Sequence, residues 1–243
     1  MDARTQMKLI TWNVGHRKGR KPLVPDLAKA LASAKPDVVV ITDYLPDISD
    51  KPFTDALARA GLGHRMTSAQ VKAQRQVLIA SREPITAGDI ECCTISTATK
   101  PNWLHARTES GTEIVGFRVP IFTKRGMKQT YWEWLINEAL PRLIEKPSVL
   151  LGDFNAAPSY RPLLLAVAAG WQLATPEAGW SHKTPKTEGV AIDHGLVSPH
   201  FRISTTEYVE KLGAVTLTGT STAYSDHKAL LVELGPREVV ASS

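Results

Sequence analysis

Ser225-Asp226-His227-Lys228-Ala229-Leu230-Leu231-Val232 sets an acid and an imidazole at the mouth of an apolar run. The pattern recurs upstream in Leu150-Leu151-Gly152-Asp153-Phe154-Asn155 and in Ala191-Ile192-Asp193-His194-Gly195-Leu196-Val197. A strand that ends in a carboxylate has no packing use for it. Several strands ending this way point to carboxylates, amides and a histidine converging on one species, a divalent metal ion or a phosphate.

Working outward from these ends, short apolar runs alternate with helical patterns. Lys8–Asn13 reads as a strand, followed by a basic loop and a helix from Leu23 to Ala34 that stops before Pro36. Asp37–Thr42 is a nearly continuous β-branched run, as expected of a strand buried on both faces. A second helix spans Phe53–Ala60. Strands are expected at Gln76–Ala80, Ile85–Ile95, Trp103–Thr108 and Glu113–Val119, with Glu109-Ser110-Gly111-Thr112 as a hairpin turn. Met127–Glu145 carries Trp132, Leu135, Ile136, Leu140 and Leu143 at helical spacing, a core-facing stripe. Strand Ser148–Leu151, helix Arg161–Ala169 and strands at Val190–Val197, Ile203–Val209 and Lys228–Leu234 follow. Short strands, often joined by hairpins and interleaved with helices, predict a four-layer α/β sandwich of two mixed β-sheets flanked by helices. One domain is expected over residues 1–243, with its core at about 7–235.

The 43% hydrophobic and 22% charged content is that of a soluble globular protein, and no apolar run reaches the length of a membrane span. The first residues lack a signal-like apolar segment, so a cytoplasmic location is the expectation. Cys92 and Cys93 are neighbours and form no structural staple. Net charge is +5, concentrated in part at His16-Arg17-Lys18-Gly19-Arg20-Lys21. Alone, such a run is a solvated loop; beside a phosphate site, Arg17, Lys18, Arg20 and Lys21 become polyanion contacts.

In chain order the strand-end polar residues are Asn13, Asp43, Asp153, Asn155, Asp193, Asp226 and His227. Any one has an innocent explanation as a turn or cap residue. In Gly152-Asp153-Phe154-Asn155, period two puts both polar side chains on one face and Phe154 into the core. The set resembles the endonuclease/exonuclease/phosphatase superfamily of metal-dependent phosphoesterases, of the exonuclease III and pancreatic-deoxyribonuclease type. The resemblance rests on Thr11-Trp12-Asn13, Pro36-Asp37-Val38-Val39-Val40-Ile41-Thr42-Asp43, Gly152-Asp153-Phe154-Asn155-Ala156-Ala157-Pro158, Ile192-Asp193-His194 and Ser225-Asp226-His227, in the family order.

That resemblance implies roles. Asp43 stands where the family places its metal-binding glutamate, and Asn13 and Asp226 match residues that help hold the ion or its waters. Asp153 and Asn155 match the pair that orients the attacking water and the scissile phosphate. Asp193 resembles the carboxylate that fixes the terminal histidine, here His227. Mg²⁺ is the implied ion, with Mn²⁺ as a substitute, and it needs only one or two carboxylates and an amide. Two departures stand out: Asp43 is one methylene shorter than glutamate, and the family's His or Tyr is missing from Gly116-Phe117-Arg118-Val119-Pro120, where Arg118 falls nearest. A guanidinium can clamp a phosphate but cannot shuttle a proton at neutral pH.

The remaining histidines, His16, His64, His105, His182, His194 and His200, show no metal-ligand spacing, so no zinc site is expected. Trp180 resembles an aromatic of family nucleases and reads as packing in preference to a base-stacking platform. The expected activity is Mg²⁺-dependent hydrolysis of DNA phosphodiesters by a monomer, with Lys124 and Arg125 adding to the backbone contacts. The rivals are a phosphatase or phosphodiesterase for a small or lipid phosphate, and a catalytically weakened nucleic-acid-binding module.

Overall fold

The computed structural model describes residues 6–15, 23–46, 51–70, 74–95, 99–120, 126–184, 188–219 and 224–237. In chain order the strands begin with β1 (Met7–Asn13), β2 (Val38–Tyr44), β3 (His64–Thr67), β4 (Gln76–Ser81), β5 (Ile85–Ala87), β6 (Trp103–Thr108) and β7 (Glu113–Arg118). They continue with β8 (Ser148–Asp153), β9 (Gln172–Ala174), β10 (Asp193–Val197), β11 (Phe201–Val209), β12 (Lys211–Leu212), β13 (Val215–Thr216) and β14 (Ala229–Pro236). The α-helices are α1 (Pro25–Ser33), α2 (Lys51–Arg59), α3 (Met127–Trp134), α4 (Leu140–Ile144) and α5 (Arg161–Ala168).

Two six-stranded mixed sheets form, in the orders β11-β14-β1-β2-β4-β3 and β5-β6-β7-β8-β10-β9. Each has one parallel pair at its centre, β1 with β2 and β7 with β8, and antiparallel neighbours outside. The β-branched run of β2 is buried at every position, as its composition requires. Leu9, Val38, Val40, Val77, Ile79, Ile114, Val149, Leu151, Leu230 and Val232 fill the space between the sheets. Ile10, Trp12, Leu27, Leu31, Phe53 and Leu57 join α1 and α2 to the outer face of the first sheet. Phe117, Trp132, Leu135, Leu140, Leu150, Phe154 and Leu163 join α3, α4 and α5 to the outer face of the second. This is the four-layer α/β sandwich that the alternation of patterns predicts.

Three local departures have physical causes. The expected strand Ile85–Ile95 ends at Ala87. Gly88 lies so close over His105 that a Cβ would come within 2.2 Å of the ring, the Ile90 N–H donates to His105 Nδ1 (3.1 Å), and Trp103 Nε1 donates to the Ile90 carbonyl (2.8 Å). Side chains of β6 thus replace the ladder. The expected strand from Val190 begins only at Asp193, because Val190 pairs instead with His182. The 127–145 helix is interrupted by a π-turn at Leu135–Ala139, where the Leu140 N–H donates to the Leu135 carbonyl. Pro141 follows without an N–H, and the widened turn absorbs the missing bond.

Gly116 leaves no room for a side chain between the sheets. A Cβ there would lie 2.6 Å from Val77 Cγ1 and 2.7 Å from Val40 Cγ1. Gly116→Ala is therefore expected to lower the unfolding free energy by about 1–3 kcal/mol through overpacking, read by urea denaturation. A variant as stable as wild type would show that the sheets can separate freely at this point.

Candidate active site

The parallel central pairs bring four strand ends to one rim. Asn13 ends β1, Asp43 sits near the end of β2, Arg118 ends β7 and Asp153 ends β8. Antiparallel β10 starts at the same rim, with Asp193 opposite Asp153, and His227 lies just before β14. Asp43, Asp153, Asp193, Asn13 and His227 are all buried.

Asp153 is the hub. Its Oδ2 accepts from Asn13 Nδ2 (2.9 Å) across the two sheets and from Asn155 Nδ2 (3.2 Å), while Oδ1 accepts from the Asn155 N–H (2.8 Å). Asn155 also donates to the Val119 carbonyl (2.7 Å). It adopts φ 46°, so it reaches Asp153 by a left-handed turn and not by strand alternation. Phe154 does point into the core as period two requires, edge-on to Phe117. Asn13 has its Oδ1 on the Gly15 N–H (2.7 Å), so both ends of its amide are engaged in fixing this rim. Burial, then the nearby Asp193 charge, push the Asp153 carboxyl up to about 6, against the pull of His227 and Arg118.

His227 is held from several sides. Its Nδ1 is 2.7 Å from Asp193 Oδ2, its N–H donates to Ser225 Oγ (2.9 Å), and Trp12 Nε1 donates to its carbonyl (3.0 Å). Burial alone would lower its pKa, but the Asp193 carboxylate overrides this and raises it to about 9. Asp193 is anchored in turn: Ser181 Oγ accepts its N–H (2.9 Å), and Tyr208 donates to its carbonyl (2.8 Å). At neutral pH this pair is an imidazolium–carboxylate. Because the folded pKa lies above the unfolded one, its contribution to stability is complete below about pH 6.5 and is lost as pH rises through about 9.

Arg118 sits inside the site. Its Nε is 3.2 Å from Asp43 Oδ1 and 3.5 Å from Asp153 Oδ2, and its side chain is 14% exposed, so it is no surface residue. Asp43 is also paired by a residue that sequence reading passed over: Arg75 Nη1 lies 2.7 Å from Oδ2. No motif marks Arg75; only the pairing of β2 with β4 brings it there. His182, whose spacing in the sequence marks no metal ligand, is also brought to this rim by the fold. Its Nε2 lies 3.4 Å from Asp226 Oδ2, its ring stands 4.5 Å from that of His227, and ligand atoms of His182, Asp226 and His227 all lie within 4.8 Å of one another. Burial pushes the Asp226 carboxyl up, but the His182 hydrogen bond and the His227 charge outweigh it and bring the pKa down to about 2.

Trp180 is clamped: a Cβ on Gly189 would come within 2.7 Å of its ring, and Lys228 Nζ stands 3.9 Å from the ring centroid. It is occupied by packing, as expected. Arg17, Lys18, Arg20, Lys21, Lys124 and Arg125 lie outside the described residues. Among the described residues no helix is long and apolar enough to cross a membrane.

Asp43 Oδ1 is buried without a hydrogen-bond partner despite its proximity to Arg118, and Asp226, gathered with His182 and His227, offers a second carboxylate, so each supplies an oxygen donor of the kind a hard divalent ion takes. In the metal-free protein His227 is expected to titrate near pH 9 in an NMR titration. Asp193→Asn should bring it down toward the ordinary histidine value, about 6.5. An unchanged titration would show that Asp193 does not set the charge of His227.

Comparison with curated protein sequences returns no match. Solved structures show the same fold. A 3′ phosphatase, NExo from Neisseria, bound to a product DNA hairpin, is 20% identical, with 93% of this chain and 98% of that chain covered at a TM-score of 0.71. The 3′-5′ exonuclease NExo from Neisseria meningitidis is 21% identical, with 94% and 100% covered at 0.71. An endonuclease/exonuclease/phosphatase from Beutenbergia cavernae is 18% identical, with 96% and 72% covered at 0.67. The family model described as Endonuclease/Exonuclease/phosphatase family matches residues 10–227. With that match spanning the rim from β1 to His227, the chain belongs to the endonuclease/exonuclease/phosphatase family, whose members are phosphoesterases.

Proposed function

We propose that this protein is a divalent-metal-dependent phosphodiesterase that hydrolyses DNA phosphodiester bonds by in-line attack of water. The observation that carries the reading is the buried Asp153 carboxylate, held by Asn13 and Asn155, beside the His227–Asp193 pair and the Arg118 guanidinium. A carboxylate next to two cations is a poor structural core and a good place to bind and attack a phosphate.

Asp153, ionised above about pH 6, accepts the proton of the attacking water as the new P–O bond forms, and Asn155 keeps the carboxylate oriented. The P–O bond to the leaving oxygen breaks on the opposite side, and that oxygen takes a proton from solvent. His227 gives its Nδ1 side to Asp193 and presents its Nε2 proton to a phosphoryl oxygen, where negative charge builds in the pentavalent transition state. Arg118 adds a fixed positive charge that cannot leave as a proton. Mg²⁺, with Mn²⁺ as substitute, would be held by Asp43 and Asp226 beside Asn13 and would draw charge from the phosphoryl oxygen. DNA as substrate is supported by the net charge of +5 and by the family motifs, and is compatible with the DNA held by the structurally similar Neisseria 3′ phosphatase. A phosphomonoester at a DNA end is the second reading, favoured by the cationic Arg118 and His227 side chains gathered at the rim beside Asp153 and Asp193.

The test is hydrolysis of plasmid DNA, a chromogenic phosphodiester and a 3′-phosphorylated oligonucleotide, with and without chelator. Cleavage of DNA that requires Mg²⁺ is expected; equal rates in chelator would sink the reading. His227→Ala should lose on the order of 10²–10⁴ in rate, and Asp193→Ala combined with it should cost little more, because residues acting as a unit are non-additive. Fully additive losses would separate their roles. The pH–rate profile should rise as Asp153 ionises near pH 6 and fall as His227 loses its proton near pH 9.

A further inference from the structure

The pairing of β2 with β4 is irregular between Ile41 and Tyr44, where the register shifts so that Tyr44 faces Gln76. Asp43 sits in this bulge with φ 57°, a left-handed conformation that a non-glycine residue adopts only at a conformational disadvantage. The bulge turns the Asp43 side chain toward the residue before Gln76, which is Arg75. Their contact is close, Nη1 to Oδ2 at 2.7 Å, but the two side chains differ in setting: Asp43 is 4% exposed and Arg75 32%. Arg118, by contrast, is wedged between Asp43 and Asp153 and is 14% exposed. One guanidinium is locked between two carboxylates; the other approaches from solvent.

We propose that Arg75 is a phosphate-binding residue that competes with the divalent ion for Asp43. It holds the carboxylate in the metal-free protein and passes to an oxygen of the substrate phosphate when the ion takes its place. The inference rests on the reading of the site as a metal-dependent phosphoesterase centre. The chemistry favours the exchange in that order. A doubly charged ion attracts a buried carboxylate about twice as strongly as a guanidinium at the same distance. Once released, the planar fork of Arg75 matches two phosphate oxygens. The shortness of Asp43 relative to glutamate fits the same picture, since it leaves room for a guanidinium between the carboxylate and solvent.

Isothermal titration of the full chain with Mn²⁺, and then of the Mn²⁺-saturated protein with inorganic phosphate, tests this in wild type, Arg75→Ala and Arg75→Gln. Both variants should bind Mn²⁺ about tenfold more tightly, because the competitor is gone, and phosphate about tenfold more weakly, because the clamp is gone. Two variants guard against a folding defect in one, and thermal melting in metal-free buffer checks both. Mn²⁺ affinity equal to or weaker than wild type in the variants would overturn the competition. Unchanged phosphate affinity would overturn the clamp. No Mn²⁺ binding by wild type would overturn the metal reading of the site and this inference with it, an outcome distinct from metal binding that ignores Arg75.

Discussion

A carboxylate buried where two sheets meet has to be satisfied from both of them, and Asp153 is that carboxylate. Asn13 reaches it from the first sheet, while Asn155 and the strand register with Asp193 hold it in the second. An uncompensated buried charge costs several kcal/mol, so the sheets cannot slide or splay at this rim without leaving Asp153 exposed to that penalty. The inter-sheet core, tightly packed at Gly116, holds the same relationship from the apolar side.

The opposite end of the second sheet shows what a purely structural solution looks like. Buried Glu113, at the start of β7, is met by His105 Nε2 at 2.8 Å, Arg107 at 2.7 Å and Lys146 at 3.2 Å. Its carboxylate is met by two cations and by an imidazole whose basicity burial keeps low. At the functional rim the accounting is left open: Asp43 Oδ1, Asp193 Oδ1 and Arg118 Nε are buried without hydrogen-bond partners. One strand, β7, thus carries a closed ion network at its first residue and an open one at its last. Left-handed backbone at Asp43 and Asn155 gathers at the open end as well, as expected where geometry serves chemistry over stability.

The rim also separates two kinds of histidine. His194 is buried with Nε2 on the Ala156 carbonyl at 2.9 Å and Nδ1 on Thr175 at 2.8 Å, a strut under the loop that carries Asn155. His227 has one nitrogen on Asp193 and the other side toward Asp226 and His182. Their neighbours along the chain are alike, an aspartate before each. Position at a strand end relative to the sheet rim, and not local composition, decides which histidine is free to meet a substrate.

The sequence by itself determined the parts whose physics is local. Apolar runs closed by Asn13, Asp43 and Asp153 or opened by Asp193 and the Asp226-His227 pair name both the strands and the residues at their ends, because burying an acid in mid-strand is penalised and a strand end is where it survives. The order of those motifs was enough to place the family and the four-layer sandwich. Tertiary structure decided what depends on contacts between distant segments. Arg75 meets Asp43 only through a register shift between β2 and β4, and His182 meets Asp226 and His227 only through isolated bridging outside the strands. The expected strand Ile85–Ile95 failed for the same reason: its backbone partners turned out to be the side chains of His105 and Trp103, which no local pattern records. From the sequence, Arg118 is only the residue nearest the position where the family's His or Tyr is missing. Its burial between two carboxylates from different sheets makes it part of the site, since only the closed sandwich puts those charges within reach of one guanidinium.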